Sequence, residues 1–416
     1  MRSFSKRSKR LFAAISMALS SSFASAQQLP DLWQKAIQQH PSVQAAEQQA
    51  QALIQQGRQL NQPLYNPTLS SRLEREGDVN NYAVGVSQTL DWSTGNEARA
   101  SQADAMTALA QSLYRQTATQ HAKELLDAYV RWFDAHRRYS LAKQQEDVVQ
   151  QAIDIVSERR RAGDLGAVDE QLTILALSRQ LQQTAATYQT LQSAEADLNA
   201  LLTTSDFNQL TIEDGVFDIT PSLTVRWQQH PQLKAAYLQW QLKRADVDWK
   251  RSLTTANPTL GIEAGETDHE TVVGLSFSMP LQIRNSYNDA VHAASSEALA
   301  EEKRLMALKH QWQAALKSSL NNYRFIKSQW HSWQQRFQDR QSASSQVIEQ
   351  SWVEGDLSTT DYLTAMRQQL DSQYAGIALQ TQYRLAAIEW LYRSGELSKA
   401  LKLSPLSQHT SNAIGE

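Results

Sequence analysis

Hydrophobic positions along this chain follow two spacings, and the changes from one to the other mark out its elements. From Asn96 to Ala162 apolar residues recur three and four apart, as in Leu125, Tyr129, Trp132 and Phe133 and again in Val148, Ala152 and Ile155. No glycine or proline interrupts the run. That spacing is one face of an α-helix, and roughly 67 residues at 1.5 Å each would extend ~100 Å. The stretch Gly163-Asp164-Leu165-Gly166 (163–166) predicts a turn, and the breaker-free run from Ala167 to Asp214 predicts an antiparallel partner. The same plan returns with a helix from about Leu281 to Glu354, a turn at 355–358, and a partner from Thr359 to Ser394 interrupted only by Gly376.

Ahead of each long helix the period shortens to two. Asp31–Asn61 reads as a helix broken and restarted at Pro41, and Asn66-Pro67 ends it, because a residue before proline is pushed out of the α region. Residues 69–76 and 82–90 predict a strand pair around the turn-rich Gly77–Asn81, and 259–265 and 271–279 predict another around Gly265–Glu270. Leu260, Ile262 and Ala264 share a face, as do Val273, Leu275, Phe277 and Met279 after the turn. The opposite face of the last strand carries Val272, Gly274, Ser276 and Ser278. Apolar on one side and small or polar on the other is the pattern of a transmembrane β-strand. A half-buried soluble hairpin has the same pattern.

The two halves repeat each other. Gln38-Gln39-His40-Pro41 returns as Gln228-Gln229-His230-Pro231, Asn66-Pro67-Thr68-Leu69 as Asn257-Pro258-Thr259-Leu260, and Val84-Gly85-Val86-Ser87 as Val273-Gly274-Leu275-Ser276. Gly163-Asp164-Leu165 returns as Gly355-Asp356-Leu357. Four pairs in register imply a duplicated unit, 27–215 and 216–403, each ordered helix, strand, strand, long helix, turn, helix. Residues 203–224 read as the connection, and 404–416 as a disordered tail. The fold class is mainly α with a small β part.

Composition places the chain. Five cations within residues 1–10, an apolar stretch 11–24 and Ala24-Ser25-Ala26 give the layout of a secretory signal, 1–26. Without it, 35 Lys and Arg stand against 43 Asp and Glu, so the remainder is acidic and unsuited to nucleic acid. The absence of cysteine excludes disulfides, thiolate metal sites and a lipid-bearing N-terminal cysteine. No later stretch is apolar enough for a membrane helix. Enzyme signatures are missing: Gly274-Leu275-Ser276-Phe277-Ser278 lacks the second glycine of a nucleophile elbow, and neither a phosphate-binding loop nor a dinucleotide fingerprint occurs. The histidines form no His-x-x-x-His pair, Asp268-His269-Glu270 reads as a polar loop tip, and Arg159–Arg161 reads as a solvated face. No metal or cofactor is expected. Four strands cannot close a barrel, which needs about eight, so the strands are either soluble or shared among several chains.

With its duplication, its strand–long helix–turn–helix order and its glycine-bearing hairpin tips, the chain from about Asp31 to Leu403 resembles the TolC-type outer-membrane channels. The resemblance implies a homotrimer whose chains pool four strands each into a shared 12-stranded outer-membrane barrel, continued by a periplasmic α-helical tunnel. It implies two protein partners, a periplasmic adaptor and an inner-membrane RND pump, with outer-membrane lipid around the barrel. The short strand loops look most like the heavy-metal efflux branch; drug efflux or type I protein secretion is the alternative cargo. Val273, Leu275 and Phe277 would then face lipid, and Tyr65, Tyr82 and Trp92 suit an interfacial girdle or a packed core. The resemblance places adaptor docking at the tips, near Gly163, Leu165, Gly355 and Leu357, and the periplasmic gate at Asp169 and Asp361. Where some members carry a further acid, this chain has Thr364. Taken without the resemblance, the two glycines are helix-ending turn residues and the two aspartates are first-turn acids favoured by the helix dipole. A soluble periplasmic coiled-coil scaffold is the reading of a different class.

Overall fold

The computed structural model describes residues 32–202, 210, 212, 214–221 and 225–400. The expected signal sequence, the expected tail and much of the expected 203–224 connection lie outside them. In order, the elements are α1 (32–39), α2 (Pro41–Leu60), β1 (Thr68–Glu76), β2 (Val79–Thr89), α3 (Gly95–Ala162) and α4 (Ala167–Leu201). Then come α5 (Pro231–Ser252), β3 (Thr259–Thr267), β4 (Glu270–Ser278), α6 (Asn288–Trp333), α7 (Asp339–Glu354), α8 (Thr359–Ser394) and the short α9 (Leu397–Ala400). The second repeat follows the order of the first. The chain divides into two compact units. One, residues 44–117 with 226–312, holds the sheet; the other, built from 118–225, 313–400 and the segment before Gln44, holds the two hairpin tips.

The 68-residue α3 has a seam legible from its burial. Tyr114, His121, Ala128, Ala135, Ala142, Val149 and Val156 are all buried, spaced seven apart. A strict seven-residue repeat is the seam of helices packed nearly parallel. In α4, Thr173, Gln180 and Thr187 are buried at the same spacing. Alanine at the facing level of α3 lets side chains of α4 reach its backbone: the Ala142 carbonyl accepts from Gln180 Nε2 at 2.8 Å and from Thr184 Oγ1 at 3.4 Å. The expected stripe of Val148, Ala152 and Ile155 is buried at one of its three positions. Ala152 is buried, whereas Val148 and Ile155 lie one residue off the seam and are exposed.

Other boundaries also move. Both strand pairs run further than expected, and the turns shrink to two residues, Gly77-Asp78 and Asp268-His269. Gly77 has φ 62°, while Asp268 and His269 have φ 54° and 66°. These positive values are what two-residue hairpins require to match the strand twist. α4 ends at Leu201, ahead of the connection expected at 203–224. α6 begins at Asn288 rather than Leu281. Ahead of it, Gln282 Nε2 donates to the distant Leu253 carbonyl (2.8 Å), and the Tyr287 amide donates to Asn285 Oδ1 (3.0 Å), a local bond that takes the place of a helical one. The second long helix is also interrupted, by a π-helical turn at Gln334–Gln338. That turn follows Trp333, which stacks on Trp330 at 5.5 Å and packs against Gly376.

Candidate membrane-facing sheet and hairpin tips

The four strands form one antiparallel sheet in the order β1-β2-β3-β4, so β2 and β3 join the two repeats and β1 and β4 are its edges. Register decides which side chains share a face. Leu69 pairs with Val86, Val86 with Ile262, and Ile262 with Leu275; Leu73 pairs with Tyr82, and Leu260 with Phe277. These residues, with Val84 and Val273, form one continuous apolar face four strands wide, and it is exposed, Leu73 at 87 % and Leu275 at 86 %. The opposite face carries Ser70, Arg72, Gly85, Ser87, Gly261 and Glu263, with Gly274 and Ser276 on β4. Val273, Leu275 and Phe277 lie together as expected, with Ser276 and Ser278 behind them.

Glycines fit that second face to close packing. A Cβ on Gly265 would overlap the backbone of β2, and one on Gly261 would overlap Ser276. Aromatic residues mark both ends of the apolar face. Near the turns, Tyr82 donates its hydroxyl to Glu266 at 2.8 Å. At the helical end Trp92 is exposed, with its indole N–H on the Ala256 carbonyl at 2.8 Å. Tyr65 is half-buried and accepts from Asn257 Nδ2 at 3.3 Å. Of the three expected girdle residues, two are outward and one is packed.

In the other unit the hairpin tips are built alike. Gly163 has φ 86° and Gly355 φ 90°. The Gly163 amide donates to the Arg160 carbonyl (3.0 Å) and the Asp164 amide to Arg159 (2.9 Å). Gly355 donates to Trp352 (3.2 Å) and Asp356 to Ser351 (2.9 Å) in the same way. Both are Schellman caps, which need a left-handed residue and so favour glycine. Leu165 and Leu357 turn inward onto the cluster of Val149, Val156, Trp352, Tyr362 and Met366. The Tyr362 ring stacks on Trp352 at 4.1 Å, and burial, seconded by Glu349, pushes its hydroxyl up to about 12. The apolar side chains left exposed beside the tips are Val168 and Val353, which sequence reasoning missed. Val168 is off the buried seam, the one signal that could have found it.

The first-turn acids differ. Asp361 is exposed and closes a reciprocal cap with Ser358, whose Oγ accepts from the Asp361 amide (3.1 Å) and donates to its Oδ2 (2.7 Å). Asp169 is half-buried in the first turn of α4, whose N-cap, Gly166, has no side chain to cap it. The arginines before the first tip are engaged rather than merely solvated: Arg159 donates to the Trp352 carbonyl at 3.3 Å and Arg160 pairs with Glu170. Among the described residues no three His, Asp or Glu side chains converge to hold a metal ion, and no helix is long and apolar enough to cross a membrane.

No family model matches the chain, and no curated protein matches it by sequence. Solved structures do. The chain is similar to CusC, studied for the conformational changes accompanying folding and transmembrane channel formation, with 13% identity and a TM-score of 0.70 over 88% of this chain and 92% of that one. It is similar to a membrane protein from Pseudomonas aeruginosa at 16% identity and TM-score 0.71, covering 89% and 92%. It is also similar to the CmeC outer-membrane channel of Campylobacter jejuni at 13% identity and TM-score 0.68, covering 90% and 89%. The fold is TolC-like along most of the chain.

Proposed function

We propose that this protein is the outer-membrane channel of a tripartite efflux system in a Gram-negative bacterium, a passive duct and not an enzyme. The observation that carries the reading is the sheet. One face is apolar and exposed, the other small and polar, and both edges are unpaired among the described residues. Nine-residue strands are ~30 Å long, and tilted by ~40° they match an apolar band of ~25 Å. Open edges in lipid leave backbone groups unsatisfied, so the sheet is completed by other copies. Three copies give twelve strands.

In this reading the hairpin tips meet a periplasmic adaptor that links the channel to an inner-membrane RND pump. Because Leu165 and Leu357 pack inward, Val168 and Val353, with the glycine turns between, offer the apolar contact there. Asp169 and Asp361 are the gate candidates. The proposed cargo is a heavy-metal cation, a choice supported by the two-residue strand turns; drug or protein export would use the same duct. The scaffold alternative has no role for an exposed apolar sheet.

The test is reconstitution of the purified chain. Three copies by native mass in mild detergent, and discrete conductance steps in a planar bilayer, are expected. A monomer that washes from membranes with salt and conducts nothing would overturn the assignment.

A further inference from the structure

The two open edges of the sheet fit each other in a limited set of registers. The Leu90 amide donates to the Pro258 carbonyl at 2.8 Å. Bonded and non-bonded pairs alternate along an antiparallel ladder, so β2 and β3 exchange bonds at even-numbered residues, Gln88 with Leu260, Val86 with Ile262 and Val84 with Ala264. The odd residues of β3 then turn to β4, and the even residues of β4 answer them. That leaves the backbone groups of Val273, Leu275 and Phe277 at one edge. By the same alternation β1 presents Leu69, Ser71, Leu73 and Arg75 at the other. A junction of β4 with β1 must match odd residues with odd, and so can slide only in steps of two.

The duplication selects among those steps. Asn257-Pro258-Thr259-Leu260 follows Asn66-Pro67-Thr68-Leu69 by the same number of positions as the turn Asp268-His269 follows the turn Gly77-Asp78. In the sheet β3 therefore corresponds to β1, and β4 to β2, at that one spacing. Gly85 corresponds to Ser276, although the matching tetrapeptides point to Gly274. Within the chain, β2 meets β3 where the first repeat joins the second. Between copies, β4 meets β1 where the second repeat joins the first. The internal junction sets Ser87 opposite Gly261, Val86 opposite Ile262, Gly85 opposite Glu263 and Val84 opposite Ala264. Its counterpart sets Ser278 opposite Ser70, Phe277 opposite Ser71, Ser276 opposite Arg72 and Leu275 opposite Leu73. This register matches odd with odd and carries the apolar face across the seam. Around three copies it shifts the pairing by about twelve residues, which tilts the strands by about 35°; membrane barrels tilt by roughly 35–45°. Sliding every seam by two residues gives about 20° or about 46° instead.

We infer that the occupant of the open edge is a second copy of this chain, its β1 lying against β4 with Ser70 opposite Ser278. This rests on the sheet being shared between copies in a membrane. The same register builds a ring in the lumen. Arg72 and Glu263 are corresponding positions of the two repeats and carry opposite charges, so arginine and glutamate alternate around one level of the bore. Glu263 already leans that way: it lies over Gly274, where an added Cβ would meet its Oε1 at 3.1 Å. Its carboxylate thus points across β4 toward the seam and toward Arg72 of the neighbouring copy, and the glycine leaves its path clear.

The chain has no cysteine, so introduced pairs report the seam directly. Within one chain β1 and β4 lie about 14 Å apart across the sheet, too far for a disulfide. The full chain carrying Ser70→Cys with Ser278→Cys, oxidised after assembly, should run as a covalent trimer on a denaturing gel. Ser70→Cys with Ser276→Cys tests the neighbouring register; its Cα atoms would stand about 8 Å apart, beyond disulfide reach, and it should cross-link about tenfold less. Glu263→Arg, which makes the ring all cationic, should lower the temperature at which the trimer dissociates in detergent, and adding Arg72→Glu should restore it. A trimer that cross-links better through Ser276→Cys, equally through both pairs, or through neither would overturn the register. An unchanged dissociation temperature in Glu263→Arg, or no rescue by Arg72→Glu, would overturn the ring. A wild type that is monomeric by native mass would instead overturn the channel reading, so the two failures are separable.

Discussion

Acidification should weaken the hairpin-bearing unit through one buried histidine. His121 occupies a position on the buried seam of α3, is 3 % exposed, and stacks on His40 with ring centroids 4.0 Å apart. Burial, and next the neighbouring His40, push it down to about 4 from an ordinary 6.5, against smaller opposing effects of Glu124 and the Leu201 backbone. The folded chain thus holds His121 neutral where the unfolded chain protonates it. Its contribution is complete above pH 6.5 and is lost progressively as pH falls from there toward 4. By linkage the loss reaches ~2 kcal/mol per chain at pH 5. The variant to compare is His121→Phe, which keeps a ring on the seam and cannot titrate. The second repeat already holds such an arrangement, His230 meeting Trp312 edge-on at 6.2 Å. Thermal unfolding followed by circular dichroism at pH 8 and pH 5 should show a larger loss for wild type than for the variant, by that amount. Histidine NMR should find one imidazole that stays neutral below pH 5. Equal losses in the two proteins, or a His121 that titrates near 6.5, would refute the reasoning.

Three further outcomes are expected. Leu275→Arg should block membrane assembly, because an arginine on the lipid face costs up to ~2–4 kcal/mol at mid-depth, whereas Ser276→Arg on the opposite face should assemble; equal yields in an outer-membrane fraction would remove the strands from the membrane. Gly376→Ala should destabilise by roughly 1–3 kcal/mol, since the added Cβ would overlap the Trp333 indole, and a wild-type melting curve would contradict that packing. Asp361→Asn should weaken block of single-channel conductance by divalent cations, because like charges gathered around a constriction focus the field on cations, with Asp169→Asn measured beside it; superimposable curves for both variants and wild type would take these residues out of the gate.

The duplication, the long helices, the glycine tips and the two-period pattern of the strands were all legible in the chain, because each depends on local spacing or backbone freedom. Gly163 and Gly355 announce left-handed turns by residue type alone, and the alternation through Val273, Leu275 and Phe277 holds in any sheet. Contacts between distant segments were not legible. A helical stripe drawn at 3.6 residues selected Val148 and Ile155, but packing against neighbouring helices at a seven-residue repeat buries Val149 and Val156 instead. Leu165 and Leu357 stand beside the tips by sequence, but only the packed structure shows them lying against the cluster around Trp352 and Tyr362. The start of α6 depended on Gln282 finding a carbonyl of Leu253, nearly thirty residues earlier. Periodicity along one segment fixes which faces a residue can share; only the packed neighbour decides which of those faces is covered.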